Sequence, residues 1–299
     1  LLLTAEYFVL DGALALALPT RPGQSLRAER SGTAGQLQWY SYDEQGKLWF
    51  EGRFDLPDLA MQSSSDASAG RRLAAILQSA AVQHPGFWDP AVGLKVSCHL
   101  SFPQQWGLGA SSTLISLIAQ WTGADPYALL EASFGGSGYD LACATARGPV
   151  LYQRLRGKPQ AVEIPFDPPF RQQLYFVYLG HKQNSRDGIA RYRDKVERNP
   201  KLIERINRLT TRFLCARELP AFDELIRRHE QLVAATLELP RAKDLHFGDF
   251  WGEVKSLGAW GGDFVLLSSR RGKDETMAYL SGKGFEVVFP YEELVFSVS

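Results

Sequence analysis

Pro103-Gln104-Gln105-Trp106-Gly107-Leu108-Gly109-Ala110-Ser111-Ser112-Thr113 runs directly into the apolar-periodic stretch Leu114-Ile115-Ser116-Leu117-Ile118-Ala119. A glycine-rich turn that opens into a helix lets backbone N–H groups approach an anion closely, and the helix N-terminus adds partial positive charge and unsatisfied donors. The pattern is that of a phosphate site, with Gly107, Leu108, Gly109, Ala110, Ser111 and Ser112 forming the cradle. Ser111 or Ser112 also suits an ordinary helix N-cap, and the two readings are compatible. The stretch has no Gly-Lys-Ser/Thr ending a P-loop, and the third glycine of the dinucleotide fingerprint is absent after Gly109.

Three further segments stand in line with this loop. Ala5-Glu6-Tyr7-Phe8-Val9-Leu10-Asp11-Gly12-Ala13-Leu14-Ala15-Leu16-Ala17 lies near the start, Gly136-Ser137-Gly138-Tyr139-Asp140-Leu141-Ala142 in the middle, and Lys255-Ser256-Leu257-Gly258-Ala259-Trp260-Gly261-Gly262-Asp263 near the end. Together the four segments resemble, in order, the motifs of the galactokinase, homoserine kinase, mevalonate kinase and phosphomevalonate kinase (GHMP) superfamily, and are most similar to its mevalonate and phosphomevalonate branch. Departures are Ala5 where the family usually has Gly, Leu257 for Thr, Trp260 for Gly, and Asp263 after the last glycine.

The resemblance implies a two-domain α+β fold, with a ribosomal protein S5 domain 2-like N-terminal domain and an α/β sandwich C-terminal domain. It implies ATP and Mg²⁺ as cofactors and transfer of the γ-phosphoryl group to a hydroxyl or phosphate of a small acidic metabolite. The glycine loop and Gly258, Ala259 and Gly261 would meet the nucleotide, Ser111 would ligate Mg²⁺, and Asp140 would accept the proton of the acceptor hydroxyl or orient it. Glu6 and Tyr7 would lie at the substrate. Glu131 is offered either as a second metal ligand or as an ordinary helix-surface glutamate. Lys182, Ser185 and Arg186, in a segment between a strand and a helical run, would meet an anionic substrate group or are surface charge with Ser185 as a cap. Trp260 would wall a pocket or pack in the core. A sugar kinase, a catalytically silent nucleotide-binding relative, and an interaction protein on the same sandwich are the other readings. The related kinases carry a lysine a few residues before Gly-Glu-His/Tyr, which is expected just upstream of Leu1.

Composition agrees with a small-molecule enzyme. The 299 residues are 45% apolar and 12% aromatic, enough to fill a sizeable core. Lys plus Arg and Asp plus Glu both total 33, so no positive field points to nucleic acid or an anionic membrane. The expected partner is a small-molecule substrate, with a homodimer as the default assembly. Three scattered cysteines, Cys98, Cys143 and Cys215, argue for core thiols in a reducing compartment, and without a signal peptide or an apolar run of membrane length the chain is read as cytoplasmic. The five histidines lack zinc spacing, and no hydrolase elbow surrounds Ser111.

Periodicity predicts strands over 1–10, 13–18, 36–42, 47–50, 94–100, 174–179, 264–267, 286–289 and 294–298. Asp43-Glu44-Gln45-Gly46 is a turn signal, and Met61 to Ser68 a polar loop ending in a cap for a helix over 71–83. Two long amphipathic helices with basic outer faces follow over 200–217 and 220–237. Strands at both ends with helices between suggest an α+β sandwich. The proline cluster Pro165, Pro168 and Pro169 sets the expected boundary between an ATP-binding domain, 1–165, and a C-terminal domain, 166–299.

Overall fold

The computed structural model describes residues 1–180, 185–195, 199–258, 260 and 262–297. In chain order the elements are β1 (Ala15–Ala17), β2 (Gln24–Ser31), β3 (Gln36–Tyr42), β4 (Leu48–Asp55), β5 (Met61–Ser64), α1 (Ala67–Gln83), β6 (Gly93–Leu100), α2 (Ala110–Thr122), α3 (Pro126–Ser133) and α4 (Tyr139–Thr145). There follow β7 (Val150–Leu155), β8 (Lys158–Glu163), β9 (Leu174–Tyr178), α5 (Ser185–Lys195), α6 (Pro200–Cys215), α7 (Leu219–Leu237), α8 (Ala242–His246), β10 (Glu253–Ser256), β11 (Phe264–Ser268), α9 (Lys273–Gly282), β12 (Val288–Pro290) and α10 (Tyr291–Leu294).

These elements form two compact units that do not follow the division expected after residue 165. One comprises 22–104 and 108–145, the other 1–21, 105–107 and 146–299. The reason is strand pairing: β1 is hydrogen-bonded antiparallel to β7, with Ala15 opposite Tyr152, so the first residues are tied to the second half of the chain. The proline cluster is a loop inside that second unit.

The unit 22–145 has a five-stranded sheet in the order β2-β6-β3-β4-β5, antiparallel except for the parallel pair β3 and β6. Along β3 alternate residues are buried, Leu37 and Trp39 among them, the period-two pattern of a strand with one face in the core. The β3–β4 turn is built by Asp43, whose carboxylate accepts from the N–H groups of Gln45 (3.0 Å) and Lys47 (2.8 Å). Helix α1 buries Leu73, Ile76, Leu77 and Ala80 in the core that Trp39, Phe54, Val96, Ile115 and Ile118 share. Asp66 caps it, accepting from Ser68 (2.7 Å) and Ala69 (2.9 Å), a contact worth about 1 kcal/mol. The expected loop from Met61 begins instead as edge strand β5, close enough to α1 that a Cβ on Gly70 would come within 2.5 Å of the Met61 sulfur.

The other unit holds two antiparallel sheets, β1-β7-β8 and β10-β11-β9-β12. The amphipathic pattern over 200–237 becomes α6 and α7, joined where Phe213 meets Phe222 edge to face at 5.1 Å. Helix α7 packs on β10. The core around β9, β10 and β11 contains Val177, Phe247, Val254, Val265 and Leu267. Two strand expectations fail here. Residues 1–10 make one bridge, Leu2 to Ala17, and then a 3₁₀ turn, Phe8–Asp11, because Ala5 and Tyr7 adopt positive φ (67° and 62°). Residues 291–294 form α10, and Val295 only bridges Thr20. Cys98 is buried, whereas Cys215, expected in the core, is exposed at the end of α6. No helix among the described residues is long and apolar enough to cross a membrane.

Candidate active site

In the unit comprising 22–104 and 108–145, Leu108 and Gly109 deliver the chain to α2 in the geometry an anion requires. Gly109 is the N-cap residue in left-handed conformation (φ 80°), a position any other residue would occupy under strain. Open space surrounds it, since a Cβ there would meet nothing within 4 Å. The first intrahelical bond runs from Thr113 N–H to Gly109 C=O (2.9 Å), so the N–H groups of Ala110, Ser111 and Ser112 have no acceptor within the helix. Among the described residues no side chain caps this end, and Ser111 and Ser112 stand inside the first turn instead of at the cap position their sequence suggests. Thr113 holds the turn: its hydroxyl bonds the Gln24 side chain (3.0 Å) and the Ala110 carbonyl (3.0 Å). Ser111, in the same turn, is exposed. The cradle therefore suits a phosphate chain.

Asp140 is in the first turn of α4, and α4 packs on α2, so the aspartate and the anion cradle are carried by two helices in contact. Asp140 is partly buried, and burial raises its carboxyl above the usual range. Glu131 lies exposed on α3, which also packs on α2. Among the described residues no three His, Cys, Asp or Glu side chains cluster as a metal cage. Such a cage is not needed for Mg²⁺ carried by phosphates, which takes one or two protein ligands beside them.

The unit containing residue 6 turns the first motif inward. Glu6 is fully buried with Lys255, and the Lys255 ammonium pairs with Glu6 and, at 3.1 Å, with Glu230. Glu230 also accepts from the Ser256 N–H (3.1 Å) and hydroxyl (3.0 Å). Ala5 N–H donates to His229 Nε2 (3.0 Å), which leaves the ring proton on Nδ1. Glu6 Oε2 stands 3.4 Å from His229 Nε2, and among the described residues neither Glu6 Oε2 nor His229 Nδ1 has a hydrogen-bond partner. Glu6, expected at the substrate, thus spends its carboxylate within the core.

Ionisation follows from this packing. Burial pushes the Glu6 carboxyl up to about 7, with Lys255 pulling down and Glu230 pushing up. Burial likewise raises Glu230. Burial, then the charge of Lys255, holds His229 well below its usual range and therefore neutral. For Lys255 burial acts downward, but Glu6 and Glu230 outweigh it and the ammonium is held more tightly. A carboxyl raised on folding contributes stability that is full below its unfolded value of 4.5 and lost as pH rises to about 7. His229 acts with the opposite sign, its contribution being lost as pH falls. The stability difference between the chain and Glu6→Gln isolates the carboxyl. That difference is expected to fall by about 1.4 kcal/mol per pH unit across the window, read from urea titrations. A difference that does not vary with pH would mean that Glu6 stays ionised throughout.

Tyr7 and the third motif are joined. The Tyr7 hydroxyl accepts from Trp260 N–H (2.9 Å), and its ring stacks on Tyr192 at 5.9 Å. On α5, Gly188 leaves room for the phenol, since a Cβ there would reach the Tyr7 hydroxyl at 2.3 Å. Trp260, the substitution for a family glycine, is 3% exposed with its indole N–H on the Pro240 carbonyl (3.0 Å). It packs in the core. Gly258 is in left-handed conformation, while Ala259 and Gly261 lie outside the described residues. Lys182 also lies outside them; Ser185 and Arg186 begin α5, and their side chains are not described.

The motifs alone do not point to His229 and Glu230 as members of this buried cluster. A signal for His229 is nonetheless present: Phe222, Ile226, His229 and Val233 follow three- and four-residue spacing on one stripe of α7.

The fold is shared with solved small-molecule kinases. Mevalonate kinase of L. major in complex with R-mevalonate superposes with a TM-score of 0.67 at 15% identity, covering 100% of this chain and 94% of that one. Methanococcus jannaschii mevalonate kinase gives 0.70 at 13% identity over 100% and 96%. Streptococcus pneumoniae phosphomevalonate kinase in complex with phosphomevalonate and AMPPNP gives 0.66 at 14% identity over 96% of each chain. Galactokinase of Lactococcus lactis, complexed with galactose, gives 0.60 at 12% identity over 95% and 86%. No protein-family model matches the sequence, and no curated protein matches it. The chain has the two-unit α+β fold of the GHMP kinases.

Proposed function

We propose that this chain is an ATP-dependent kinase of the GHMP type, transferring the γ-phosphoryl group to a hydroxyl or phosphate of a small acidic metabolite of the mevalonate or phosphomevalonate kind. The observation that carries the proposal is the open first turn of α2 behind Gly109, with the helix of Asp140 packed against it. Phosphoryl transfer needs positioning and charge stabilisation more than covalent chemistry. The N–H groups of Ala110, Ser111 and Ser112 would bind the phosphates, and the Ser111 hydroxyl would reach the metal. Mg²⁺, held by the Ser111 hydroxyl together with the nucleotide, would supply positive charge to offset the negative charge developing during transfer. Asp140, its carboxyl raised by burial, would take the acceptor's proton or aim the acceptor oxygen.

Two measurements test this. ADP release from Mg-ATP is expected only with an acceptor, and a panel of mevalonate, phosphomevalonate and common sugars identifies its class. ATP is also expected to stabilise the fold, by about 2.7 kcal/mol at a hundred times its Kd. Stabilisation without release across the panel would favour the catalytically silent reading, to which the buried Trp260 of the third motif lends support. Absence of both effects would remove the nucleotide reading.

A further inference from the structure

The sheet β10-β11-β9-β12 borders a cavity of about 540 Å³ at the end away from the third motif. Phe264, next to that motif, pairs with Tyr178, whereas the cavity is lined by Tyr175 of β9, Pro290 of β12 and the link Arg270–Lys273 between β11 and α9. Every lining residue belongs to the unit that contains 146–299. Four cations, Arg171, Arg270, Arg271 and Lys273, stand in the wall beside two carboxylates, Glu292 and Glu293.

Arg270 is fixed from within the fold. Its Nε (3.0 Å) and Nη2 (2.8 Å) donate to one oxygen of the fully buried Asp223, whose other oxygen accepts from the Ser268 hydroxyl. That grip does not use Nη1. The ammonium of Lys273 is 4.0 Å from Glu293, beyond hydrogen-bond reach. At the same residue α9 begins without a side-chain cap. Its first intrahelical bond runs from Thr276 N–H to Gly272 C=O (3.1 Å), so the N–H groups of Lys273, Asp274 and Glu275 have no acceptor within the helix. Asp274 and Glu275 are not part of the cavity wall.

From α10, Tyr291 completes the wall. It is 5% exposed, its ring stacks on Phe176 at 5.9 Å, and its hydroxyl has no hydrogen-bond partner among the described residues. Burial raises the phenol, and the charges of Asp167 and Arg171 then act on it in opposite senses, so the hydroxyl lies near the Arg171 guanidinium. A buried donor without an acceptor is costly, and an anion in the cavity would supply the acceptor. Arg171 is shared between Asp167 (2.8 Å) and Glu292 (2.5 Å), and Arg271 pairs with Glu275. These are surface pairs, weak enough for a phosphate to compete with them.

We propose that this cavity binds the phosphate group of a small phosphorylated metabolite, held by Arg270, Lys273, the first turn of α9 and the Tyr291 hydroxyl. Its volume admits a whole molecule of that kind. The inference goes beyond the kinase reading, because it uses neither the glycine loop nor Asp140.

The test is calorimetric titration of inorganic pyrophosphate, in EDTA, into the chain, Lys273→Glu and Tyr291→Phe, with thermal melts to verify folding. One equivalent per chain is expected to bind about 10-fold or more weakly in Lys273→Glu, an exposed position. In Tyr291→Phe the same equivalent is expected to weaken about 3-fold or more without a lower melting temperature, since the hydroxyl has no hydrogen bond to lose. Binding that either variant leaves unchanged would overturn the proposal, and so would an absence of binding by the chain at millimolar pyrophosphate. Pyrophosphate held only by the glycine loop would survive both substitutions, counting against the cavity and leaving the nucleotide reading intact.

Discussion

Asp140→Asn is expected to lower kcat by about 10²- to 10⁴-fold while changing the KM for ATP by less than about 3-fold. The asymmetry follows from position. The proposed phosphate donors are main-chain N–H groups of the first turn of α2, which no substitution at residue 140 removes. Asp140 sits on the neighbouring helix, where the amide isostere keeps the packing and loses the ability to take a proton. Because burial raises the carboxyl, the acid limb of the pH profile for kcat/KM is expected above the ordinary carboxylate range, with activity growing as the group ionises. Steady-state kinetics across pH read both effects. A variant that retains kcat within about 3-fold would deny Asp140 the role of base.

Lys255→Met is expected to cost about 3–5 kcal/mol of stability near neutral pH, measured as a lower midpoint in urea. Methionine fills nearly the same space, so the loss is electrostatic. Without the ammonium, Glu6 and Glu230, both essentially without solvent exposure, face each other in the core with no cation between them. The carboxylates would then protonate, and the deficit should narrow as pH falls. Replacing Glu6 and Glu230 by glutamine in the same molecule is expected to recover much of the loss, because a buried pair costs most when only one partner is removed. Unaltered stability of the single variant would mean that the cluster is hydrated and contributes nothing.

Elements with strong local signals are legible in the amino-acid sequence. The hairpin of β3 and β4 is announced by alternation and by Asp43-Glu44-Gln45-Gly46, and α6 and α7 by apolar spacing long enough to dominate propensity. The glycine loop and the Asp140 segment are recognisable as motifs, and they prove to be carried by helices that pack together. What fails is set by distant contacts. Residues 1–10 are apolar enough for a strand, but Glu6 pairs with a lysine 249 positions away and Ala5 bonds a histidine 224 positions away, and the backbone bends to reach them. Strand β5 is polar because it is an exposed edge, so its ladder to β4 leaves no hydrophobic trace. The charges of α7 suggest a solvated face, yet Asp223, His229 and Glu230 point inward, since each has a partner that only the tertiary fold supplies. Trp260 is by residue type equally suited to a ligand wall, and burial decides for the core.

The division of the chain also orders events during synthesis. A ribosome that has completed residue 145 has already made every residue of the unit 22–104 and 108–145, which can condense as it leaves the exit tunnel while translation continues. The first 21 residues belong to the other unit and must wait. Glu6 is made 249 residues ahead of its cation, Lys255, so this segment finds its place only after the late part of the chain has been made.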